Sequence, residues 1–351
     1  MNRRELLLRA ARFQSPERIP LFFGIETSCW NVYPKNALLD LMSSHPLLFP
    51  EFDPIAFTPP AHAPWRVSGK EYRDSWKCLW ETQVDGVTGH VVKHALGDWD
   101  ELERFQPPDP AKHDGWREIS WEKRRDSLRR QRTHGGLIQS SLRHGHTFLT
   151  LTYLRGYENA LYDMADRHPL LPKLLSMIQE FNLSLVSMSL DEGVEWMGYP
   201  EDLGMQKGPL LSPAHFREFI FPIYRELMRP AREAGCVVHM HSDGDIKELA
   251  EDLLRAGVDV LNLQDLVNGL DWIEQHLKGR ICIDLDLDRQ SILPRGTPME
   301  IQAHVREAVR KLWRPEGGLI LRHGLHPGPP LENIEALMDA MERYAEGVDH
   351  G

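Results

Sequence analysis

The sequence predicts an α/β protein of the (β/α)8 TIM-type barrel class, with an N-terminal helical extension and a β-hairpin insert. Three observations carry this expectation. Short apolar runs alternate with helical patterns along most of the chain. Eight such runs begin at Ile19, Asp53, Gly136, Val194, Cys236, Val258, Arg280 and Gly318, a count that suits a closed barrel better than an open doubly wound sheet. No GxGxxG follows an early strand and no GxxxxGK[ST] occurs, so the nucleotide-binding α/β folds lack their fingerprints.

Composition sets the outer bounds. The chain has 351 residues, 41% hydrophobic and 26% charged, an ordinary globular balance with length for one large core. It reads as a single barrel domain over 1–351, with 59–132 as an insert covering part of the barrel. A net charge of −11 argues against nucleic acid or an anionic membrane as partner. It leaves room for an anionic small molecule, since a pocket can be locally basic. The four cysteines, Cys29, Cys78, Cys236 and Cys282, form no CxxC pair, so neither a disulfide framework nor a thiolate zinc knuckle is signalled. The segment Met1–Ala11 lacks the apolar core of a signal peptide, and no apolar run is long enough to span a bilayer. The expected location is the cytoplasm.

In chain order, Asn2–Phe13 reads as a helix with Leu6, Leu7, Leu8 and Ala11 on its apolar face. Ile19–Ile25 reads as the first buried strand and Asp53–Thr58 as the second. Glu71 to Lys93 reads as a hairpin or small sheet with its turn near Asp85-Gly86. Trp116–Arg132 is a charged surface helix. Gly136–Ser141 is a strand, followed by the loop Arg143-His144-Gly145-His146. Helices are expected over Tyr153–Arg167 and Leu170–Leu190, then a strand over Val194–Gly198. Ser212-Pro213 opens a helix that runs to Ala231, with serine as N-cap. Cys236–His241 is a strand, followed by a helix over Ile246–Ala256. Val258–Leu263 is a strand and Leu270–Leu277 a helix. Arg280–Leu285 is a strand. Thr297-Pro298-Met299-Glu300 is a capping box for a helix to Trp313. Gly318–Arg322 is the last strand and Glu332–Tyr344 the closing helix.

The candidate chemistry gathers where strands end, the usual place in β/α proteins. The run Cys236–Asp245 passes from apolar residues into His239, His241, Asp243 and Asp245. His239 and His241 lie two apart and share a face. Either these groups serve a site, or Asp243 or Asp245 caps the next helix and the histidines are packed. Glu26 follows the first strand, either as a base or as a strand-end carboxylate paired with an arginine. Tyr153 could donate into the mouth or close the core edge. Asp202 and Gln206 could orient substrate or cap a helix, and Gln264 could form part of the rim. Asp284, Asp286 and Asp288 alternate at a strand end. His144 and His146 sit on a glycine-bearing loop.

Several stretches resemble the uroporphyrinogen decarboxylase superfamily, which includes cobalamin-linked, zinc-dependent methyltransferases. They are Ser15–Pro20, Tyr153–Asn159, Glu201–Gln206, His241–Ile246 and His323–Asn333. The resemblance implies a (β/α)8 barrel with its site at the C-terminal mouth. True decarboxylases carry an arginine-rich segment after the first strand that gathers substrate carboxylates; here it reads Gly24-Ile25-Glu26-Thr27-Ser28-Cys29-Trp30, without arginine. Tyr153 and His323 match tyrosine and histidine positions of the decarboxylase pattern. The methyltransferases hold zinc through an HxC pair and a cysteine in the final loop. On this chain those positions become His241 and Asp243, and His323.

The resemblance therefore implies a divalent metal, Zn²⁺ first, on His241, Asp243 and His323. Glu26 would be a fourth ligand or a base, Glu26 or Tyr153 would handle protons, and His239 would support His241. It also implies a small methylated substrate and a corrinoid carried by a separate protein. Two other readings stay open: a carboxy-lyase using His323, Tyr153 and an acidic residue, and a non-catalytic barrel that binds a small molecule. A homo-oligomer is left open as well.

Overall fold

The computed structural model describes residues 1–50 and 52–347. Its strands are β1 (Leu21–Ile25), β2 (Tyr72–Arg73), β3 (Leu79–Glu81), β4 (His90–Lys93), β5 (Gln139–Ser141), β6 (Trp196–Pro200), β7 (Val237–Ser242), β8 (Val260–Gln264), β9 (Cys282–Asp286) and β10 (Leu319–Leu325). The α/β class and the barrel-type alternation of strand and helix hold. The chain forms two compact units: one of Met1–Ser68, Thr82–Thr88 and Asn262–Gly351, the other of Gly69–Glu81 and Gly89–Leu261.

In the first unit β1 pairs in parallel with β10, and β10 with β9. Asn262 of β8 donates to the Asp284 carbonyl of β9 at 2.7 Å. These strands are apolar over most of their length, as strands covered on both faces must be. Asp284 and Asp286 on β9 and His323 on β10 are polar exceptions, and so is Arg322. It lies on β10 and bonds the buried Asp284 carboxylate through Nε at 2.8 and 3.0 Å. The helix Pro298–Leu312 starts at the expected capping box, with the Thr297 and Glu300 side chains each bonded to the other's backbone.

One expected strand is absent. Residues 53–58 turn instead, because the Asp53 carboxylate accepts the Ile55 and Ala56 amides at 2.9 and 3.3 Å and its carbonyl accepts the Phe57 amide. A short acceptor side chain competes with a ladder in this way. Ile55 is 95% exposed, so the apolar pattern there was not a buried face. Phe57 packs on Phe52 and Trp30 instead.

In the second unit β5, β6 and β7 are parallel, with Pro200 of β6 opposite His241 of β7. The insert forms an antiparallel sheet of three short strands, β2–β3–β4, with β3 and β4 joined across the expected turn region. The helix expected over Tyr153–Arg167 is two, Phe148–Arg155 and Tyr157–Ala165. Gly156 breaks it at φ +90°, a conformation that favours glycine. The helix expected from Ile246 begins only at Ala250, after a turn over 247–249. Asp245 serves that turn, accepting the Lys247 amide at 3.2 Å.

All four cysteines are buried and none is in a disulfide. Among the described residues no helix is long and apolar enough to cross a membrane.

Strand β8 ends on Gln264, which is buried and whose carbonyl accepts the Asn268 side-chain amide at 2.9 Å. The next residue, Asp265, is buried and bonds His304 Nε2 at 2.6 Å and the Asp288 amide at 3.1 Å. Burial alone would lower the His304 imidazolium, but the hydrogen bond and charge of Asp265 outweigh it and leave the pKa above its ordinary value. A raised folded pKa stabilises fully below the unfolded value and is lost as pH rises through the folded one. The wild-type stability advantage over His304→Gln, read from denaturant midpoints, should therefore be larger near pH 6 than near pH 9. An advantage independent of pH would show that the pair does not titrate as described.

Candidate metal centre at the ends of three strands

Three consecutive strands of the second unit each deliver one polar group. The loop after β5 carries His144, the residues after β6 carry Asp202, and β7 carries His241 near its end. The alternation of β7 explains the last placement. Val238, Met240 and Ser242 are buried, while His239 and His241 share the other, half-open face. His239 packs on Trp196, with ring centroids 5.5 Å apart.

The ligand atoms of His144, Asp202 and His241 lie within 4.8 Å of one another. Asp202 Oδ1 is 3.2 Å from His144 Nε2 and 3.4 Å from His241 Nε2. Asp243 Oδ1 stands 3.7 Å from His241 Nε2, and the Asp243 amide donates to Asp202 Oδ1 at 3.0 Å. Burial would raise the Asp202 carboxyl, but hydrogen bonds and charge from His144 and His241 bring it well below the ordinary carboxylate range. Asp202 is therefore the ionised centre of the group.

The donor set fits a divalent ion. Tetrahedral N/O ligands at about 2.0–2.1 Å from a metal stand about 3.3–3.4 Å apart. The two contacts of Asp202, at 3.2 and 3.4 Å, lie near that edge and are hydrogen-bond distances as well. Two imidazoles and a carboxylate suit Zn²⁺ and also Fe²⁺, Mn²⁺ or Co²⁺. These residues would hold the ion.

The flanking loops are fixed by close packing. Arg143, next to His144, is buried, 3.4 Å from the Asp74 carboxylate and 4.3 Å over the Trp116 ring. After β6 and β7 the backbones touch. A Cβ on Gly244 would lie 2.2 Å from the Gly204 carbonyl carbon, and Gly244 has φ +82°. The Gly204 amide bonds the Asp243 carbonyl at 3.2 Å and the Asp245 amide bonds the Met205 carbonyl at 2.7 Å. Glu201 is fully buried; burial pushes its carboxyl up to about 7, against hydrogen bonds from Tyr224, Leu149 and Thr147.

The other expected residues take different places. Tyr153 is on the helix Phe148–Arg155, packed edge-on to Trp80, with its carbonyl accepting from His94 Nδ1 at 2.8 Å. Burial pushes its phenol well up. Gln206 is exposed. In the first unit, Glu26 bonds Arg66 at 2.9 Å, the partner expected of a strand-end carboxylate. His323 lies within β10 on the face of Leu321 and Leu325, with Nδ1 3.1 Å from the Leu287 carbonyl. Burial holds its imidazole down at about 4. Its Nε2 has no hydrogen-bond partner, so a neutral ring donating through Nδ1 leaves a lone pair of the kind a metal ligand uses.

The group around His241 thus takes His144 and Asp202, which sequence reasoning ranked below Asp243 and His323. The missed signal was that β5, β6 and β7 are neighbours, so their three following loops meet.

A family model of uroporphyrinogen decarboxylase (URO-D) matches residues 84–344. The chain belongs to the uroporphyrinogen decarboxylase family. Uroporphyrinogen decarboxylase 2, chloroplastic, of Arabidopsis thaliana is 26% identical over 179 residues, covering 46% of this chain and 41% of that protein. The uroporphyrinogen decarboxylase of Synechococcus sp. (strain CC9605) is 25% identical over 185 residues, covering 50% and 49%. The chain thus spans less than half the length of these curated relatives. Among solved structures, a methyltransferase from Methanosarcina mazei matches 98% of this chain and 99% of its own, at a TM-score of 0.63 and 17% identity, a likeness of fold.

The glycine contact generates a test. Gly244→Ala should cost about 1–3 kcal/mol or more, from overpacking plus a strained φ, read as a lower denaturant midpoint. An unchanged midpoint would mean that the two backbones do not meet.

Proposed function

We propose that this chain is a metal-dependent methyltransferase, moving a methyl group between a small methylated compound and a corrinoid carried by a separate protein. The observation that supports it most is the convergence of His144, Asp202 and His241 at the ends of three adjacent strands. A bound divalent ion would act there as a Lewis acid on the heteroatom that bears or receives the methyl group. Asp202 would bind the ion beside the two imidazoles and offset its positive charge. Asp243, beside His241, is placed to accept a hydrogen bond from a ring or a substrate. Within the same unit, Tyr153 is the group proposed for proton handling.

The absence of arginine from Gly24–Trp30 supports a substrate with fewer carboxylates than a porphyrinogen, since unpaired buried carboxylates are costly. The N/O donor set is harder than a thiolate one and suits an oxygen-bearing substrate such as an ether or alcohol. The family match favours a second reading, a carboxy-lyase on a smaller acid.

Protein purified without chelator should carry about one divalent ion per chain, and His241→Ala and Asp202→Ala should each weaken its binding by at least tenfold, measured by metal analysis and titration. Transfer of methyl from a panel of small methyl ethers, methylamines and methyl thioethers to a reduced corrinoid, lost on chelation, should follow. Metal-free protein with unaltered ligand binding in His241→Ala would sink the metal reading. Release of CO₂ from a candidate acid, with no methyl transfer, would replace it with the lyase.

A further inference from the structure

We propose that Glu201 is a positioning residue whose buried carboxylate clamps together the three segments that carry His144, Asp202 and His241. The inference rests on the metal reading above, and it assigns a role to a side chain that touches none of the three ligand atoms.

Glu201 follows β6 and immediately precedes Asp202. Its Oε1 accepts the Thr147 amide at 2.9 Å and the Leu149 amide at 2.8 Å. Its Oε2 accepts the Tyr224 hydroxyl from the helix Phe221–Glu233. Its own amide donates to the His241 carbonyl at 2.9 Å. One residue therefore bonds the loop of His144, the strand of His241 and a helix behind them, while its chain neighbour is the central carboxylate.

The local alternative for capping is not used. The helix Phe148–Arg155 begins after Thr147, yet Thr147 makes no side-chain cap bond. The free amides of a helix's first turn need acceptors. Here a carboxylate from a different strand supplies them. His146, between the ligand His144 and this cap, is also held from both sides. Its Nδ1 is 2.6 Å from Thr147 Oγ1, and its carbonyl accepts Asn182 Nδ2 at 2.6 Å. The Gly145 amide bonds the Pro200 carbonyl at 2.9 Å. The loop of His144 is thus fastened to the end of β6 by backbone and side chain together.

A fully buried carboxylate with no arginine or lysine among its bonded partners is expensive to retain. A cap alone would be met more cheaply by serine or aspartate at the helix's own N-cap. What the remote cap adds is registry. The loop after β5 cannot shift along β6 without breaking two backbone-amide bonds to Glu201 Oε1, and the His144–Asp202 separation is set by that register.

The test uses the full chain and Co²⁺ as probe, read by affinity and by the intensity of the d–d bands, with thermal stability measured in parallel. Glu201→Ala should weaken Co²⁺ binding about 10–100-fold, the usual effect of removing an orienting partner. Glu201→Gln keeps an oxygen for both amides and should restore most of the affinity. Equal affinity in Glu201→Ala and wild type overturns the clamp. A loss that glutamine does not rescue also overturns it, since the amide-accepting oxygen would then not be what matters. If Glu201→Ala fails to fold, amide exchange in the wild type decides. Co²⁺ or Zn²⁺ should slow exchange at Thr147 and Leu149 as well as along β7. Slowing confined to β7 counts against the clamp. Should the wild type bind no metal at all, the metal reading fails and the clamp with it. Binding that ignores position 201 removes the clamp alone.

Discussion

The backbone contact between Gly204 and Gly244 is the constraint on which the candidate centre depends. With no side chain on either residue, the segments leaving β6 and β7 pass in van der Waals contact and exchange hydrogen bonds on both sides. Leu203 N–H on Ser242 Oγ at 2.9 Å extends the same seam. Because that seam is tight, Asp202 and Asp243 are brought onto one side of His241. Parallel pairing alone would leave the loops free to diverge. Glycine also permits the positive φ at 244 that turns the chain away once Asp243 is placed. The electrostatics follow from this packing: a carboxylate lodged between two imidazoles is held ionised, and an ionised carboxylate is what a cation needs.

Much of the fold was legible in the residues, and the reasons are local. The strand at Cys236–His241 was readable because β-branched and apolar residues end abruptly in polar ones, and the capping box at Thr297 because its two side chains lie three residues apart. Tertiary context decided the rest. The run at Asp53 looked like a strand because Phe52, Ile55 and Phe57 are apolar, yet Asp53 accepts its own downstream amides and closes a turn. Gly156 was invisible as a break within a helical pattern, since only its φ shows why the helix stops there. Asp245 was open to reading as a helix cap, but it serves a turn instead, and the helix begins at Ala250 behind Leu249 with no side-chain cap.

The candidate site was legible only in part, for the same reason. His241 stood out because it ends an apolar strand. His144 and Asp202 did not, because nothing in a linear sequence says that the loops following residues 141, 200 and 242 are neighbours in space. Strand order supplies that, and periodicity does not encode it. Glu201 was harder still. A carboxylate next to another carboxylate reads as surface charge, and only its burial and its two backbone amide partners show it to be internal.

Membership of the uroporphyrinogen decarboxylase family is a statement about framework and says nothing of which atoms face the strand ends. The donors gathered here are nitrogen and oxygen, and the sulfur of this chain is kept apart from chemistry. Cys29, with Glu26 nearby, and Cys78 are pushed up to about 12 chiefly by burial, so neither offers a thiolate near neutral pH. Imidazole and carboxylate have no ladder of sulfenic, sulfinic and sulfonic states to descend. Ligands such as His144, Asp202 and His241 would therefore not be lost to thiol oxidation or disulfide exchange, and their hold on an ion would answer to proton and metal concentrations.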